Sequence, residues 1–207
     1  VPPSAFPGRA PDAGESLEAF RLLRTSLRYA TVDDPPRSVV VTSPSEGDGK
    51  TSVAVGLARA AALGGQRVLL VDADLRRPQV HERCGLRPEP GLEAVLAGHV
   101  APGAAVRVLR RGTARLDVLP TGPVAAPHPL IGSERMRDLL RDLAAVYDLV
   151  VVDTPPLLAV TDALPLVERV AGTILVVRIG KTRRDALSRT LDIIQRGRGV
   201  VVGLVAT

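Results

Sequence analysis

Apolar residues recur along this chain in two alternating patterns, which predict short buried strands separated by amphipathic helices. Short runs rich in valine and leucine predict strands at 38–42, 67–72, 116–119, 148–153, 173–178 and 200–205. Helical spacing of apolar residues covers 50–63, 133–146, 162–170 and 183–196. Because strands that are apolar on both faces need helices on each side, the pattern predicts an α/β fold with a doubly wound, mostly parallel sheet flanked by helices.

Two segments precede this alternation. Residues 1–14 are rich in proline and glycine, so we expect a flexible lead before a single domain over 15–207. An amphipathic helix follows and ends near 33–36, with Leu17, Phe20, Leu23 and Leu27 on its apolar face and Glu18, Arg21, Arg24 and Arg28 on its charged face. We expect the charged face to be free for contacts. The stretches 97–105 and 120–132 predict surface loops.

The composition narrows the possible functions. At 207 residues the chain fits one domain, and its 45% hydrophobic content includes two Phe, two Tyr and one Cys, so the core is predicted to be aliphatic and without disulfides. The scarcity of aromatic residues argues against recognition of single-stranded nucleic acid by base stacking. A net charge of +5 fits either an arginine-rich composition in general or an anionic partner.

The strongest chemical signal is the segment 39–52, VVVTSPSEGDGKTS, in which an apolar strand runs through a glycine-containing loop into a helix. Such a loop turns backbone N–H groups toward phosphate oxygens, and the positive end of the helix dipole adds to the attraction. The run is a deviant Walker-type P-loop, because Pro44 stands at the first glycine position of G-x-x-x-x-G-K-[ST]. We therefore expect ATP or ADP with Mg²⁺, bound by Glu46, Gly47, Asp48, Gly49, Lys50, Thr51 and Ser52.

Aspartates follow two of the predicted strands. Asp72 and Asp74 end the run VLLVDAD, and Asp153 ends the run LVVVD. Side chains two positions apart share a face if the strand continues, so Asp72 and Asp74 could both address one metal–phosphate centre. A lone aspartate after a strand is ordinarily a cap or turn residue, but three aspartates together with a phosphate loop predict a site for phosphoryl transfer or hydrolysis.

Taken together, these residues resemble the bacterial tyrosine kinase (BY-kinase) family, whose members regulate capsule and exopolysaccharide export. The resemblance covers roughly 15–207 and rests on the three nucleotide motifs and on EAFRLLR at 18–24, which is similar to the family's ExxRxxR oligomerisation motif. Further matching segments are GL at 91–92, LAG at 96–98, LDVLPTG at 116–122, SER at 133–135, PPLL at 155–158 and TDA at 161–163.

The resemblance implies a role for each polar residue of these motifs. Lys50 and Thr51 would hold phosphate and Mg²⁺, while Asp74 and Asp153 would position the metal through its water shell. Asp72 would be the base for a tyrosine hydroxyl, although the sequence leaves the division of roles between Asp72 and Asp74 open. Arg76, which follows these carboxylates, would neutralise phosphate charge.

The resemblance also implies partners and a location. The chain would form homo-oligomers through Glu18, Arg21 and Arg24, would be activated by a separate or fused membrane polysaccharide co-polymerase, and would phosphorylate a tyrosine-containing protein. It would act in the cytoplasm, held at the inner face of the plasma membrane by its activator, and no nucleic acid is expected as a partner. Family kinases end in a tyrosine cluster that neighbouring subunits phosphorylate, whereas the two tyrosines of this sequence are Tyr29 and Tyr147.

Two other functions stay open on the sequence. A partition or positioning ATPase of the Par or Min type shares the predicted fold. Those proteins carry a lysine five residues before the P-loop lysine, where this chain has Ser45, followed by a glycine, where it has Glu46. The second alternative is a nucleotide-binding scaffold with weak catalysis, and the intact Lys50, Asp72 and Asp153 argue against it.

Overall fold

The computed structural model describes residues 4–5, 14–30, 35–160 and 163–207. Its strands are β1 (Ser4–Ala5), β2 (Ser38–Thr42), β3 (Val68–Asp72), β4 (Arg107–Arg111), β5 (Ala114–Leu119), β6 (Leu149–Asp153), β7 (Gly172–Val177) and β8 (Val201–Ala206). Its helices are α1 (Gly14–Arg28), α2 (Lys50–Leu63), α3 (Val80–Cys84), α4 (Leu92–Leu96), α5 (Pro102–Ala105), α6 (His128–Ile131), α7 (Glu134–Val146), α8 (Leu164–Arg169) and α9 (Arg184–Arg196). The predicted helix end near 33–36 and the TDA motif at 161–163 lie partly outside the described residues.

Within the described residues the strands form one eight-stranded sheet with the order β1-β4-β5-β3-β6-β2-β7-β8. Neighbouring strands from β5 across to β8 pair in parallel. Strand β4 pairs antiparallel with β5, and β1 runs parallel to β4. The prediction of a mostly parallel α/β sheet is therefore confirmed.

The central strands β2, β3 and β6 are buried at every position, because helices cover both faces of the sheet. Successive side chains point to opposite layers. Val39 and Val41 pack with α1, α2 and α3, whereas Val40 packs with apolar residues of α4 to α9. The core consists almost wholly of valine, leucine, isoleucine and alanine, as the composition predicts.

Helix α1 lies against α2 at two glycine positions. A Cβ atom at Gly56 would lie 2.3 Å from the ring of Phe20, and one at Gly64 would overlap the guanidinium group of Arg24. Because Gly56 and Gly64 have no side chain beyond a hydrogen atom, α1 can approach α2 closely. Arg24 is partly buried in this contact, so the prediction of a free charged face is wrong at that position.

The rest of the predicted charged face is open. Glu18 and Arg21 are exposed, and they form an ion pair with each other at 3.3 Å. On the opposite side of α1, Leu27 is buried, while Phe20 and Leu23 pack against the core. The predicted amphipathic helix is therefore confirmed.

The sequence pattern did not predict β4, because arginines at both ends interrupt its apolar run. The hairpin with β5 holds this strand in the sheet. The stretches 97–105 and 120–132, predicted as surface loops, contain the short helices α5 and α6, whose Ala105 and Ile131 are fully buried. Helices α3 and α4 were also missed, since each is only five residues long.

The predicted end of the first helix, near 33–36, is wrong, because α1 ends at Arg28. The predicted boundaries of the other longer elements agree with the structure to within two residues. Part of the segment predicted as a flexible lead, Ser4–Ala5, pairs with β4 at the edge of the sheet. Along the described parts of the chain, no helix has the length and apolar character needed to span a lipid bilayer.

Candidate active site

The loop between β2 and α2 has the geometry of a phosphate cradle. Gly47 and Gly49 have φ angles of 79° and 95°, which glycine adopts far more readily than residues with a Cβ. Gly49 is the N-cap of α2, so the unpaired amides at the start of this 14-residue helix open toward the loop. A phosphate there would meet the positive end of the helix dipole beside Lys50, the first helical residue.

A cavity of about 560 Å³ opens beside this loop. It lies at the carboxyl ends of the parallel strands, where ligands bind in open α/β sheets, and its volume suits a small-molecule ligand. The lining residues come from the loop, from the start of α2 and from the segments after β3, β6 and β7. They are Glu46, Gly47, Gly49, Lys50, Thr51, Ser52, Asp74, Arg76, Arg77, Gln79, Arg83, Pro155, Pro156, Ala159, Val160 and Arg178.

The strand order brings the predicted acidic residues together. Strands β3 and β6 are neighbours, and Asp72 lies opposite Asp153 in their register. Asp74, two residues after Asp72, accepts a hydrogen bond from Lys50 Nζ at 3.0 Å. Residues that are far apart in the sequence are therefore gathered around one lysine at the cavity.

The carboxylate of Asp72 is fully buried and fixed in place. Its Oδ1 accepts the backbone N–H of Asp74 at 3.2 Å, and its Oδ2 accepts that of Val80 at 3.0 Å. Burial raises the pKa of Asp72 well above its ordinary value, and the neighbouring Asp153 charge raises it further. Asp72 is therefore a stronger base than an exposed aspartate.

Asp153 is also fully buried, and neither of its carboxylate oxygens has a hydrogen-bond partner among the described residues. Burial raises the pKa of Asp153 to about 6, although the charge of Lys50 and the nearby Thr51 hydroxyl act in the opposite direction. Burial also lowers the pKa of Lys50, but Asp153 and Asp74 outweigh it, so that pKa ends above its ordinary value. Lys50 is therefore held as a cation.

The two orphaned oxygens of Asp153 fit a hydrated Mg²⁺ ion. Magnesium in nucleotide sites is commonly held by one or two carboxylates, by water and by substrate phosphates. Across 4–5, 14–30, 35–160 and 163–207, no three acidic, histidine or cysteine side chains lie close enough to enclose a metal by themselves. The arrangement suits an ion that arrives with phosphate and water, and the ligand set Thr51, Asp74 and Asp153 stays a prediction.

Most of the predicted site residues line the cavity, but Asp48, Asp72 and Asp153 lie behind its surface. The buried Asp48 Oδ2 accepts the backbone N–H of Ser45 at 2.9 Å, which closes the loop on itself. Thr207 Oγ1 donates to the Asp48 carbonyl oxygen at 3.0 Å. The Asp48 side chain therefore shapes the loop, and its contact with a nucleotide would come through the backbone.

Sequence reasoning missed the basic residues that brace the loop. Arg178 donates to the carbonyl oxygen of Gly47 at 3.1 Å, and Lys181 donates to that of Glu46 at 2.6 Å. Arg77, from the segment after β3, forms an ion pair with the Glu46 side chain. Arg178 and Lys181 follow β7, which neighbours β2 in the sheet. Basic residues at the end of the predicted strand 173–178 and just beyond it were the signal that could have identified Arg178 and Lys181.

Comparison with known proteins identifies a broad nucleotide-binding family and, within it, a narrower group of relatives. Residues 39–195 match the CobQ/CobB/MinD/ParA nucleotide binding domain. The chain is 36% identical to the tyrosine-protein kinase YwqD of Bacillus subtilis, over 91% of this chain and 79% of that protein. It is 38% identical to the putative tyrosine-protein kinase EpsB of Ralstonia solanacearum, over 95% of this chain but only 26% of that protein.

Solved structures give the same relationship. The kinase domain of the Escherichia coli tyrosine kinase ETK matches with a TM-score of 0.87 at 34% identity, covering 92% of this chain and 74% of that chain. The cell division ATPase MinD of Pyrococcus furiosus matches with a TM-score of 0.70 at 22% identity, over 82% of this chain and 71% of that chain, which is a likeness of fold alone. The chain therefore belongs to the bacterial tyrosine kinase family, within the larger group of CobQ/CobB/MinD/ParA nucleotide-binding domains.

Proposed function

We propose that this domain is an ATP-dependent protein tyrosine kinase that regulates the synthesis and export of capsular polysaccharide or exopolysaccharide. The observation that carries the proposal is the grouping of Lys50, Asp72, Asp74 and Asp153 beside a phosphate loop at one cavity. The related tyrosine-protein kinases indicate the acceptor, which is the hydroxyl group of a tyrosine. The proposed cofactors are ATP, its product ADP, and Mg²⁺.

Phosphoryl transfer depends mainly on positioning the reacting groups and on neutralising the phosphate charge, and different residues of this chain perform these tasks. The loop amides and the start of α2 hold the phosphates, and the Lys50 ammonium neutralises their terminal charge. When bound, Mg²⁺ supplies further positive charge at the phosphates. The Thr51 hydroxyl and the carboxylates of Asp74 and Asp153 would hold the ion, directly or through water. Arg76, which also lines the cavity, would add positive charge.

Asp72 is the proposed base that accepts the proton of the substrate tyrosine. Its raised pKa suits this task, because a base works best when its pKa approaches the working pH. Its carboxylate lies behind the cavity surface, and the backbone amides of Asp74 and Val80 bind its two oxygens, so the role of base requires this segment to rearrange when the substrate binds. Asp74 is the alternative base, since it lines the cavity, but one of its oxygens is engaged by Lys50.

Assembly and activation are further parts of the proposal. Glu18 and Arg21 are exposed on α1 and available to a second copy, whereas Arg24 supports that surface from its contact at Gly64. The activator is a membrane polysaccharide co-polymerase, separate or fused, that holds the domain at the cytoplasmic side of the membrane. The substrate is a tyrosine-containing protein, and no nucleic acid takes part.

The test is incubation of the full-length protein with ATP and Mg²⁺, followed by detection of phosphotyrosine on the protein and on an added Glu–Tyr copolymer. Lys50→Met is expected to abolish labelling, because it removes the cation that faces the phosphates. Asp72→Asn is expected to reduce labelling by at least about 100-fold, as loss of a general base does. Asp142→Asn is the matched control, since this exposed carboxylate on α7 pairs with Arg141 far from the cavity.

Equal labelling of the native protein and the Lys50→Met and Asp72→Asn variants would contradict the proposal. ATP hydrolysis that DNA or lipid vesicles stimulate, without phosphotyrosine, would instead support a partition-type ATPase. Nucleotide binding without hydrolysis or transfer would support a scaffold. A larger loss in Asp74→Asn than in Asp72→Asn, with nucleotide affinity unchanged in both, would move the role of base to Asp74.

A further inference from the structure

The two tyrosines of this chain differ sharply in their surroundings. Tyr147 is half-buried, and its hydroxyl donates to Asp117 Oδ2 at 2.9 Å. Burial, followed by the hydrogen bond to Asp117, raises the pKa of Tyr147 to about 12. Tyr29 directly follows the last residue of α1 and is 81% exposed. Its hydroxyl is therefore presented to other molecules, whereas that of Tyr147 is engaged inside its own chain.

Tyr29 lies at the opposite end of the sheet from the nucleotide cavity. Helix α1 approaches the end of α2 at Gly64, and a second cavity of about 330 Å³ lies there, lined by Arg28, Arg37 and Leu149 among others. Arg37 and Leu149 stand at the amino ends of β2 and β6, whereas the phosphate loop stands at the carboxyl ends. Five strand residues separate the two ends by about 17 Å. Tyr29 thus cannot reach the phosphates held by its own chain.

Basic side chains line the second cavity, which lies beside the last turn of α1. Arg24, Arg28 and Arg37 line the second cavity, and the Arg24 Nε is buried without a hydrogen-bond partner among the described residues. One carboxylate also faces this cavity, that of Asp148, but Arg67 binds both of its oxygens. Tyr29 does not line this cavity itself, but its neighbour in the chain, Arg28, does. The basic side chains therefore give this end of α1 a positive charge that favours a phosphate group, since arginine pairs with phosphate especially well.

We propose that Tyr29 is a phosphorylation site of this protein and that a second copy of the chain phosphorylates it. The inference rests on the proposed kinase function. In this step the Tyr29 Oη forms a bond to the γ-phosphorus of ATP bound to the other copy, and the bond from that phosphorus to the bridging oxygen breaks. ADP leaves with the electron pair, and the phenolic proton passes to the proposed base of the other copy.

The experiment uses the full-length protein with ATP and Mg²⁺, and the phosphate on the peptide containing Tyr29 is measured by mass spectrometry. Two variants are mixed: Lys50→Met, which keeps Tyr29 but lacks the catalytic lysine, and Tyr29→Phe, which keeps the catalytic site. We expect phosphate on Tyr29 of the Lys50→Met chain in the mixture and none when that variant is incubated alone. Tyr147→Phe is the matched control and is expected to leave Tyr29 labelling within about twofold.

Labelling of an added Glu–Tyr copolymer distinguishes a failure of this inference from a failure of the kinase proposal. Copolymer labelling without phosphate on Tyr29 overturns this inference and leaves the kinase proposal intact. Absence of both overturns the kinase proposal and the inference with it. If native protein carries phosphate on Tyr29 at a rate per molecule that is independent of protein concentration, and the mixed Lys50→Met chain stays unlabelled, transfer between copies is refuted.

Discussion

Replacement of Asp153 by asparagine should stabilise the nucleotide-free protein while removing its activity. The buried carboxylate has no hydrogen-bond partner among the described residues, and burial raises its pKa from 3.8 to about 6. A rise of that size corresponds to about 3 kcal/mol of unfavourable free energy for the ionised group in the folded state. Asparagine removes the charge but leaves a buried amide, so the expected net gain is about 1–3 kcal/mol at pH 8.

The gain should depend on pH in a defined direction. Below pH 3.8 Asp153 is protonated in both the folded and unfolded states, so its charge costs nothing. Between pH 3.8 and about 6 the folded state binds more protons, and the stability of the native protein falls as the pH rises. Above pH 6 the full cost is present. The advantage of Asp153→Asn should therefore be largest at pH 8 and mostly gone at pH 4.5.

Urea unfolding in EDTA at pH 4.5, 6 and 8 measures this advantage as a difference in the free energy of unfolding. Added ATP and Mg²⁺ should stabilise the native protein more than the variant, because ligand binding to the folded state adds to stability. The exposed Asp142→Asn serves as the control and should show no such pH-dependent gain. A variant less stable than the native protein at pH 8, or a gain that is the same at all three pH values, would show that the buried charge of Asp153 does not destabilise the folded protein.

Two further substitutions test the packing around the site. Gly56→Val places a branched side chain where an added Cβ alone would lie 2.3 Å from the Phe20 ring, so urea unfolding should show a loss of about 1–3 kcal/mol in the free energy of unfolding. Gly103→Val, at a position with open space, is its control, and equal losses in both variants would contradict the packing argument. Thr207→Val removes the hydrogen bond to the Asp48 carbonyl, worth about 1 kcal/mol, so calorimetry should show nucleotide binding weakened about fivefold. Thr207→Ser should keep the native affinity, and unchanged binding in Thr207→Val would show that the loop does not need this contact.

The sequence was sufficient for the central part of the fold, because there the local pattern and the tertiary structure agree. The valine-rich strands are buried on both faces, and the phosphate loop joins β2 to α2 at the predicted residues. Strand β4 could not be predicted in the same way. Its arginines are not typical of a buried strand, and pairing with β5 in an antiparallel hairpin holds it in the sheet.

The same distinction applies to the site. Motif spacing predicts that Lys50, Asp74 and Asp153 share a site, and the strand order brings them together. The fixation of Asp72 by the amide of Val80 depends on how the chain turns after β3, which no side-chain pattern encodes. The support that Lys181 gives to the phosphate loop likewise depends on the adjacency of β7 and β2.

The contact of α1 with Gly56 and Gly64 has a mechanical consequence. Helix α2 starts at the phosphate loop, and α1 packs along its side. At Gly56 and Gly64 there is no side chain between the two helices that could adjust to absorb a displacement. If α2 tilts by even a few degrees when phosphates bind, α1 would therefore move together with it. Glu18 and Arg21 lie on α1. The position of the surface that they present to a neighbouring subunit would therefore depend on whether nucleotide is bound at the start of α2.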